Sequence, residues 1–138
     1  MTGLEAAIAE RIAEGASDFV NDLGLRIIAA TPGRVRFDLD VTPRVVHGGG
    51  VLCGQAIMAC MDTGMVFVML SLNGAEDAHF TTVQLQTSFE RGVPADIGTV
   101  SFDARATKTG RTLVFGEIDL LLPDGTRAAH ATTTNMWL

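Results

Sequence analysis

Hydrophobic and polar positions change period several times along the chain. Between residues 4 and 14, Leu4, Ile8 and Ile12 recur at every fourth position with charges between them, which predicts a short amphipathic helix. Residues 25–30 and 34–41 read as two strands joined by the turn signal Thr31-Pro32-Gly33. In the second, Val35, Phe37, Leu39 and Val41 alternate with Arg34, Arg36, Asp38 and Asp40, one face buried and one wet. A long apolar run follows at 51–72, then a polar break at 73–77. Four further strands are predicted at 80–89, 99–107, 113–122 and 127–137. Arg91-Gly92-Val93-Pro94 ends the first, and turns at Lys108-Thr109-Gly110-Arg111 and Pro123-Asp124-Gly125 join the other three.

The run at 51–72 holds one charged residue, Asp62, and by length alone it could span a bilayer. Asp62 lies in its middle, Gly54, Gln55 and Gly64 interrupt it, and no Lys/Arg cluster flanks it. A helix apolar on every side also arises where protein surrounds it, and that is the expectation here. Short turns between consecutive strands imply an antiparallel sheet. The expected class is therefore α+β: about six antiparallel strands wrapped around one long apolar helix, with a short helix in front.

The length of 138 residues fits a single domain, 1–138, and a hydrophobic fraction of 47% excludes disorder for most of it. Ten Lys+Arg against sixteen Asp+Glu give a net charge of −6, the wrong sign for a phosphate-backbone binder, so no nucleic-acid partner is expected. The first fifteen residues carry Glu5, Glu10, Arg11 and Glu14, unlike an export signal. Cys53 and Cys60 fall two helical turns apart, roughly 10 Å, too far for a disulfide. Reduced thiols and no signal point to a cytoplasmic protein.

This order of elements, and the words within it, resembles the hotdog fold and, more narrowly, the PaaI-like acyl-CoA thioesterases (phenylacetate-degradation type). In that family a loop of the form Asn-x-x-Gly-x-x-His-Gly-Gly leads into the central helix, and an Asp follows the His by nine residues, usually as Asp-Thr-Ala. Counting back from Asp62-Thr63-Gly64 puts Cys53-Gly54-Gln55 on His-Gly-Gly, Gly50 on the upstream Gly and His47 on the Asn. The visible His47-Gly48-Gly49 is six residues too early and is a misregistration. Val83-Gln84-Leu85-Gln86-Thr87-Ser88-Phe89 before Gly92, Lys108-Thr109-Gly110-Arg111, and Asp124-Gly125 before Ala128-Ala129-His130-Ala131 resemble later parts of the family.

The resemblance implies hydrolysis of an acyl-CoA or aryl-acyl-CoA by a homodimer or homotetramer, with the acid of one subunit facing the helix start of another. Asp62 is then general base or nucleophile, and an acid in an apolar helix is costly enough to argue for a role. Gly54, at a helix start and without a Cβ, suits an oxyanion donor. Gln55 can add a side-chain donor, and His47 can stand in for the family Asn. Cys53, Thr63 and Met58 are candidate substrate contacts. Met58, Met61, Met65 and Met69 form one stripe that reads as core packing, as an acyl slot, or as both.

Arg91, Lys108 and Arg111, with Arg105, are candidates for the phosphates of coenzyme A. Coenzyme A enters as part of the substrate, and no cofactor is expected. His47, His79 and His130 lack metal-ligand spacing, so no metal is expected either. Because Cys53 replaces the family His, a hotdog protein that binds acyl-CoA without turning it over is the alternative. A hotdog hydratase fits less well, since Phe67 stands where its His would follow Asp62. A membrane-anchored protein is the remaining rival.

Overall fold

A computed structural model describes residues 3–73 and 79–138. Two helices come first, α1 (Gly3–Gly15) and α2 (Asp18–Asp22), followed by β1 (Arg26–Thr31) and β2 (Arg34–Asp40). A 3-10 turn at Pro43–Val45 leads into α3 (Gly54–Leu72), and β3 (Phe80–Phe89), β4 (Thr99–Thr109), β5 (Leu113–Leu121) and β6 (Arg127–Trp137) complete the chain. The polar break expected before β3 lies, from residue 74 on, outside the described residues.

All strands belong to one antiparallel sheet in the order β1-β2-β4-β5-β6-β3. β3 therefore follows β2 in the chain through α3 but sits at the far edge, beside β6. The helix crosses between the two and packs against β2, β3, β4, β5 and β6. This is the wrapped-helix arrangement that the resemblance implied. α3 is long and apolar enough to cross a membrane by length and composition, and 67% of its most apolar window is buried inside the protein.

Phe37 on β2 anchors the core: its ring stacks on Phe102 at 5.1 Å and meets Phe67 of α3 edge-on at 5.1 Å. Met61, Met65 and Met69 are fully buried in the same core cluster, whereas Met58 is 39% exposed. The single methionine stripe is thus divided, three residues to the core and one to the surface. Cys53 and Cys60 are free thiols, and burial pushes that of Cys60 up to about 12.

Two elements depart from the sequence expectation. α2 was not foreseen, because five residues are too few to show a period; Ser17 starts it by accepting a hydrogen bond from the Val20 N–H at 3.2 Å. The long helix begins at Gly54 rather than 51, since Val51 and Leu52 form β-bridges to Pro94 and Val46. Cys53 caps the helix, its sulfur accepting from the Ala56 N–H at 3.4 Å.

Candidate active site

One stripe of α3 is left incompletely covered. Gln55 and Met58 are exposed, and Ala59, Asp62 and Val66 are half-buried. Their spacing of three or four places them along one face of the helix. Asp62 is thus not enclosed in the core, as an acid amid apolar residues would suggest, but opens onto a cavity of about 390 Å³. Ile12 and Val20 of the leading helices, Val66 and Leu70 of α3, and Phe80 supply its apolar lining, with Arg11 at its wall.

The Asp62 carboxylate has a defined partner. Thr82 of β3 donates its hydroxyl to Oδ1 at 2.7 Å. A bulge in the β3–β6 ladder between Thr82 and Gln84 makes this possible. Thr82 and Leu85 both turn inward, three residues apart instead of two, while the extra residue, Val83, is left 57% exposed. Behind Thr82 lies Asn135 of β6, wholly buried, with Nδ2 3.3 Å from the Thr82 hydroxyl oxygen. Thr133 in turn donates to Asn135 Oδ1 at 2.9 Å. Sequence reasoning missed both Thr82 and Asn135. The one available signal was Asn135 itself, an amide in a strand, where asparagine is disfavoured.

Gly54 occupies the first position of α3, whereas Asp62 lies midway along the helix. Eight residues separate the two, about 12 Å along the axis at 1.5 Å per residue. The Phe89 ring flanks Gly54, and a second cleft of about 300 Å³ opens there between Val51, Gly54, Ile57, Phe89, Arg91 and Val93. The acid and the helix-start amide of one chain therefore belong to different clefts.

The other candidates are distributed unevenly. Thr63 is buried and lines the Asp62 cavity, but its hydroxyl donates to its own helix, at Ala59 O, 2.7 Å away. His47 is exposed in the loop before α3, where its Nδ1 accepts from the Gly49 N–H at 2.8 Å. The lone pairs of both Cys53 and His47 are thus engaged by nearby backbone amides. His79 lines the Asp62 cavity. His130 lies in β6, with Nδ1 2.7 Å from Asp119 Oδ1.

The four cations do not form one group within a chain. Arg91 follows the C-terminal end of β3, beside Gly54. Lys108 and Arg111 sit at the β4–β5 hairpin, at the opposite end of the sheet, where the Trp137 N–H bonds Thr112 O and Phe80 pairs with Trp137. Arg105 is occupied by Glu117 at 3.0 Å and Asp119 at 3.1 Å.

Residues 44–129, more than half of the chain, match the family model of the thioesterase superfamily. No curated protein sequence matches. Among solved structures, the conserved protein PA5202 of Pseudomonas aeruginosa is similar at 26% identity, covering 94% of this chain and 98% of its own, with a TM-score of 0.83. The PaaI protein of the Escherichia coli phenylacetic acid degradation operon is 16% identical over 98% of this chain and 96% of its own, TM-score 0.83. A Streptococcus mutans protein solved bound to acetyl-CoA is 19% identical over 83% of this chain and 88% of its own, TM-score 0.75.

Proposed function

From the premise that the chain belongs to the thioesterase superfamily and has the hotdog fold, we propose that it hydrolyses acyl-CoA thioesters at a site shared by two subunits. The observation that carries the reading is the Asp62 carboxylate, held at one oxygen by Thr82 and open to a mainly apolar cavity sized for an acyl group. The acetyl-CoA bound by the Streptococcus mutans relative supports coenzyme A as the carrier.

The topology supports a shared site. β3 is an edge strand, and an unpaired edge is completed by a second copy of itself. Antiparallel pairing of two β3 strands about a two-fold axis sets the Phe89 end of one against the Thr82 end of the other. Gly54 lies at the Phe89 end and Asp62 at the Thr82 end, so each amide approaches the acid of the partner subunit. The same pairing moves Arg91 of one subunit to the end that holds Lys108 and Arg111 of the other, a cationic rim for the nucleotide phosphates. A dimer or a dimer of dimers satisfies this geometry.

In the reaction, the Gly54 N–H polarises the thioester carbonyl and binds the oxyanion as it forms. Asp62 takes a proton from water as that water attacks the carbonyl carbon. The tetrahedral intermediate then collapses, the C–S bond breaks, and the departing thiolate recovers the proton from Asp62. Attack by the carboxylate itself would instead give an Asp62 anhydride, later hydrolysed. Label in Asp62 after a single turnover in ¹⁸O-water would identify the anhydride route with water attacking the Asp62 carbonyl. Neither direct attack of water on the thioester nor hydrolysis of the anhydride at the acyl carbon labels the carboxylate. Neither route uses a cofactor or a metal.

A second reading is favoured by one feature. Cys53, where the family has His, directs its sulfur toward Ala56 as an acceptor, which suits a protein that binds acyl-CoA without hydrolysing it. Turnover of short, long and aromatic acyl-CoAs by the wild type and by Asp62→Ala tests both. Asp62-dependent hydrolysis supports the enzyme. Binding of the panel with no turnover above that of Asp62→Ala would establish the binder.

A further inference from the structure

We propose that Asn135 is a positioning residue for Asp62, acting through Thr82, so that Oδ1 of the acid is pinned and Oδ2 is left to act on the reacting water. The inference rests on the thioesterase reading above and extends it to a buried residue that touches neither substrate nor water.

The argument is one of hydrogen-bond direction. An ionised carboxylate can only accept, so at 2.7 Å the Thr82 hydroxyl must donate its single proton to Asp62. The lone pairs of Thr82 are then what Asn135 meets at 3.3 Å, and Asn135 must present its Nδ2 donor. That orientation turns Oδ1 toward Thr133, whose hydroxyl donates at 2.9 Å. Each bond fixes the sense of the next, from the core outward to the carboxylate. Were Asn135 reversed, its oxygen would compete with Asp62 for the same proton.

The burial of these groups makes the chain costly to keep without a use. Asn135 is 0% exposed and Thr133 is 5% exposed, in a strand whose inward neighbours Ala129 and Ala131 are small and apolar. A valine would satisfy that strand with no polar group to accommodate. A buried amide hydrogen-bonded at both its oxygen and its nitrogen is the means of holding a distant carboxylate in one orientation before substrate arrives.

The test is a double-mutant cycle with an accompanying NMR measurement. In Asn135→Leu, kcat falls about tenfold with KM within about twofold, as for a group acting only on the transition state. Thr133→Val, a milder change at the innermost link, lowers kcat about threefold and carries the same cycle if Asn135→Leu does not fold. In a Thr82→Val background neither substitution lowers kcat further, whereas in Thr82→Ser, which keeps the hydroxyl, both act as in the wild type. Losses that multiply in the Thr82→Val background, or that fall on KM, would overturn the proposal.

The NMR measurement needs no turnover. One Asn135 side-chain amide proton exchanges slowly and shifts in both Thr82→Val and Asp62→Asn. If the wild type hydrolyses none of the acyl-CoAs but this signature is present, the thioesterase reading fails and the hydrogen-bonded chain stands. If the wild type is active and the Asn135 amide exchanges freely, the chain fails and the enzyme stands.

Discussion

The Phe37 ring lies so close to Gly64 that a β-carbon there would stand 2.9 Å from its edge. The ring cannot yield, because Phe102 is stacked on one side and Phe67 meets it edge-on. This explains why the central word reads Asp62-Thr63-Gly64 where the resembling family usually has Asp-Thr-Ala. Two effects oppose each other in Gly64→Ala. Removing a helix glycine gains about 1 kcal/mol, while overpacking a dense core costs about 1–3 kcal/mol. The packing term wins here, since the obstructing ring is fully buried. Gly64→Ala is expected to lower the thermal midpoint by several degrees, and Phe37→Leu in the same chain to recover part of that loss. A midpoint unchanged in Gly64→Ala would show that the aromatic cluster is looser than its geometry.

Gly54 gives the opposite balance. A β-carbon there meets the Phe89 ring at 3.4 Å, ordinary van der Waals contact, and no backbone strain is introduced. Gly54→Ala should therefore fold with a midpoint at or slightly above that of the wild type. It should nevertheless lose about a hundredfold in kcat/KM, the scale on which an oxyanion donor acts, because the methyl group shields the amide from the substrate oxygen. Calorimetry with acyl-CoA kinetics separates the two effects. Wild-type turnover in this variant would remove Gly54 from the reaction.

Acid sensitivity should concentrate on one side of the sheet. Burial alone would raise the Asp119 carboxyl, but the hydrogen bond from His130 and the charge and hydrogen bond of Arg105 outweigh it and hold it below the usual carboxylate range. Glu90 is held low by its hydrogen bonds from Arg127. A carboxylate depressed in the folded state contributes stability that is complete above its unfolded value, about 4, and is lost as pH falls through the lower folded value. Stability should thus hold from neutrality to about pH 4 and decline below. In Asp119→Asn that decline should be shallower and the neutral-pH stability lower. Denaturant titrations between pH 7 and pH 2 check this, and an identical acid slope in the variant would contradict it.

Periodicity located the elements well where a strand carried its own signal. Phe80–Phe89 and Arg127–Trp137 begin and end where the sequence pattern places them. It also singled out Asp62, because one charge in a long apolar run is conspicuous without any knowledge of the fold. Thr82 and Asn135 were not legible, since their meaning depends on β6 lying next to β3 and on a bulge that turns Thr82 inward. No local pattern encodes either fact. The separation of the cations had the same origin: Arg91, Lys108 and Arg111 look like a group along the chain, and the sheet order sends them to opposite ends.

That separation makes the shared site testable through β3 alone. Val83, pushed outward by the bulge, is a half-exposed aliphatic residue on an otherwise unpaired edge. A lysine on such an edge opposes strand pairing at little cost to the chain that carries it. Val83→Lys should therefore fold as a monomer with an unchanged far-UV spectrum, while the wild type sediments as a dimer or larger. If Gly54 and Asp62 act across the two-fold axis, the monomer loses nearly all turnover although every catalytic residue is present in it. Mixing Gly54→Ala with Asp62→Ala subunits provides the complementary measurement, because a hybrid dimer contains one intact pairing of amide and acid and should regain activity that neither parent shows. A monomeric Val83→Lys that hydrolyses acyl-CoA as fast as the wild type would place the whole reaction within a single chain.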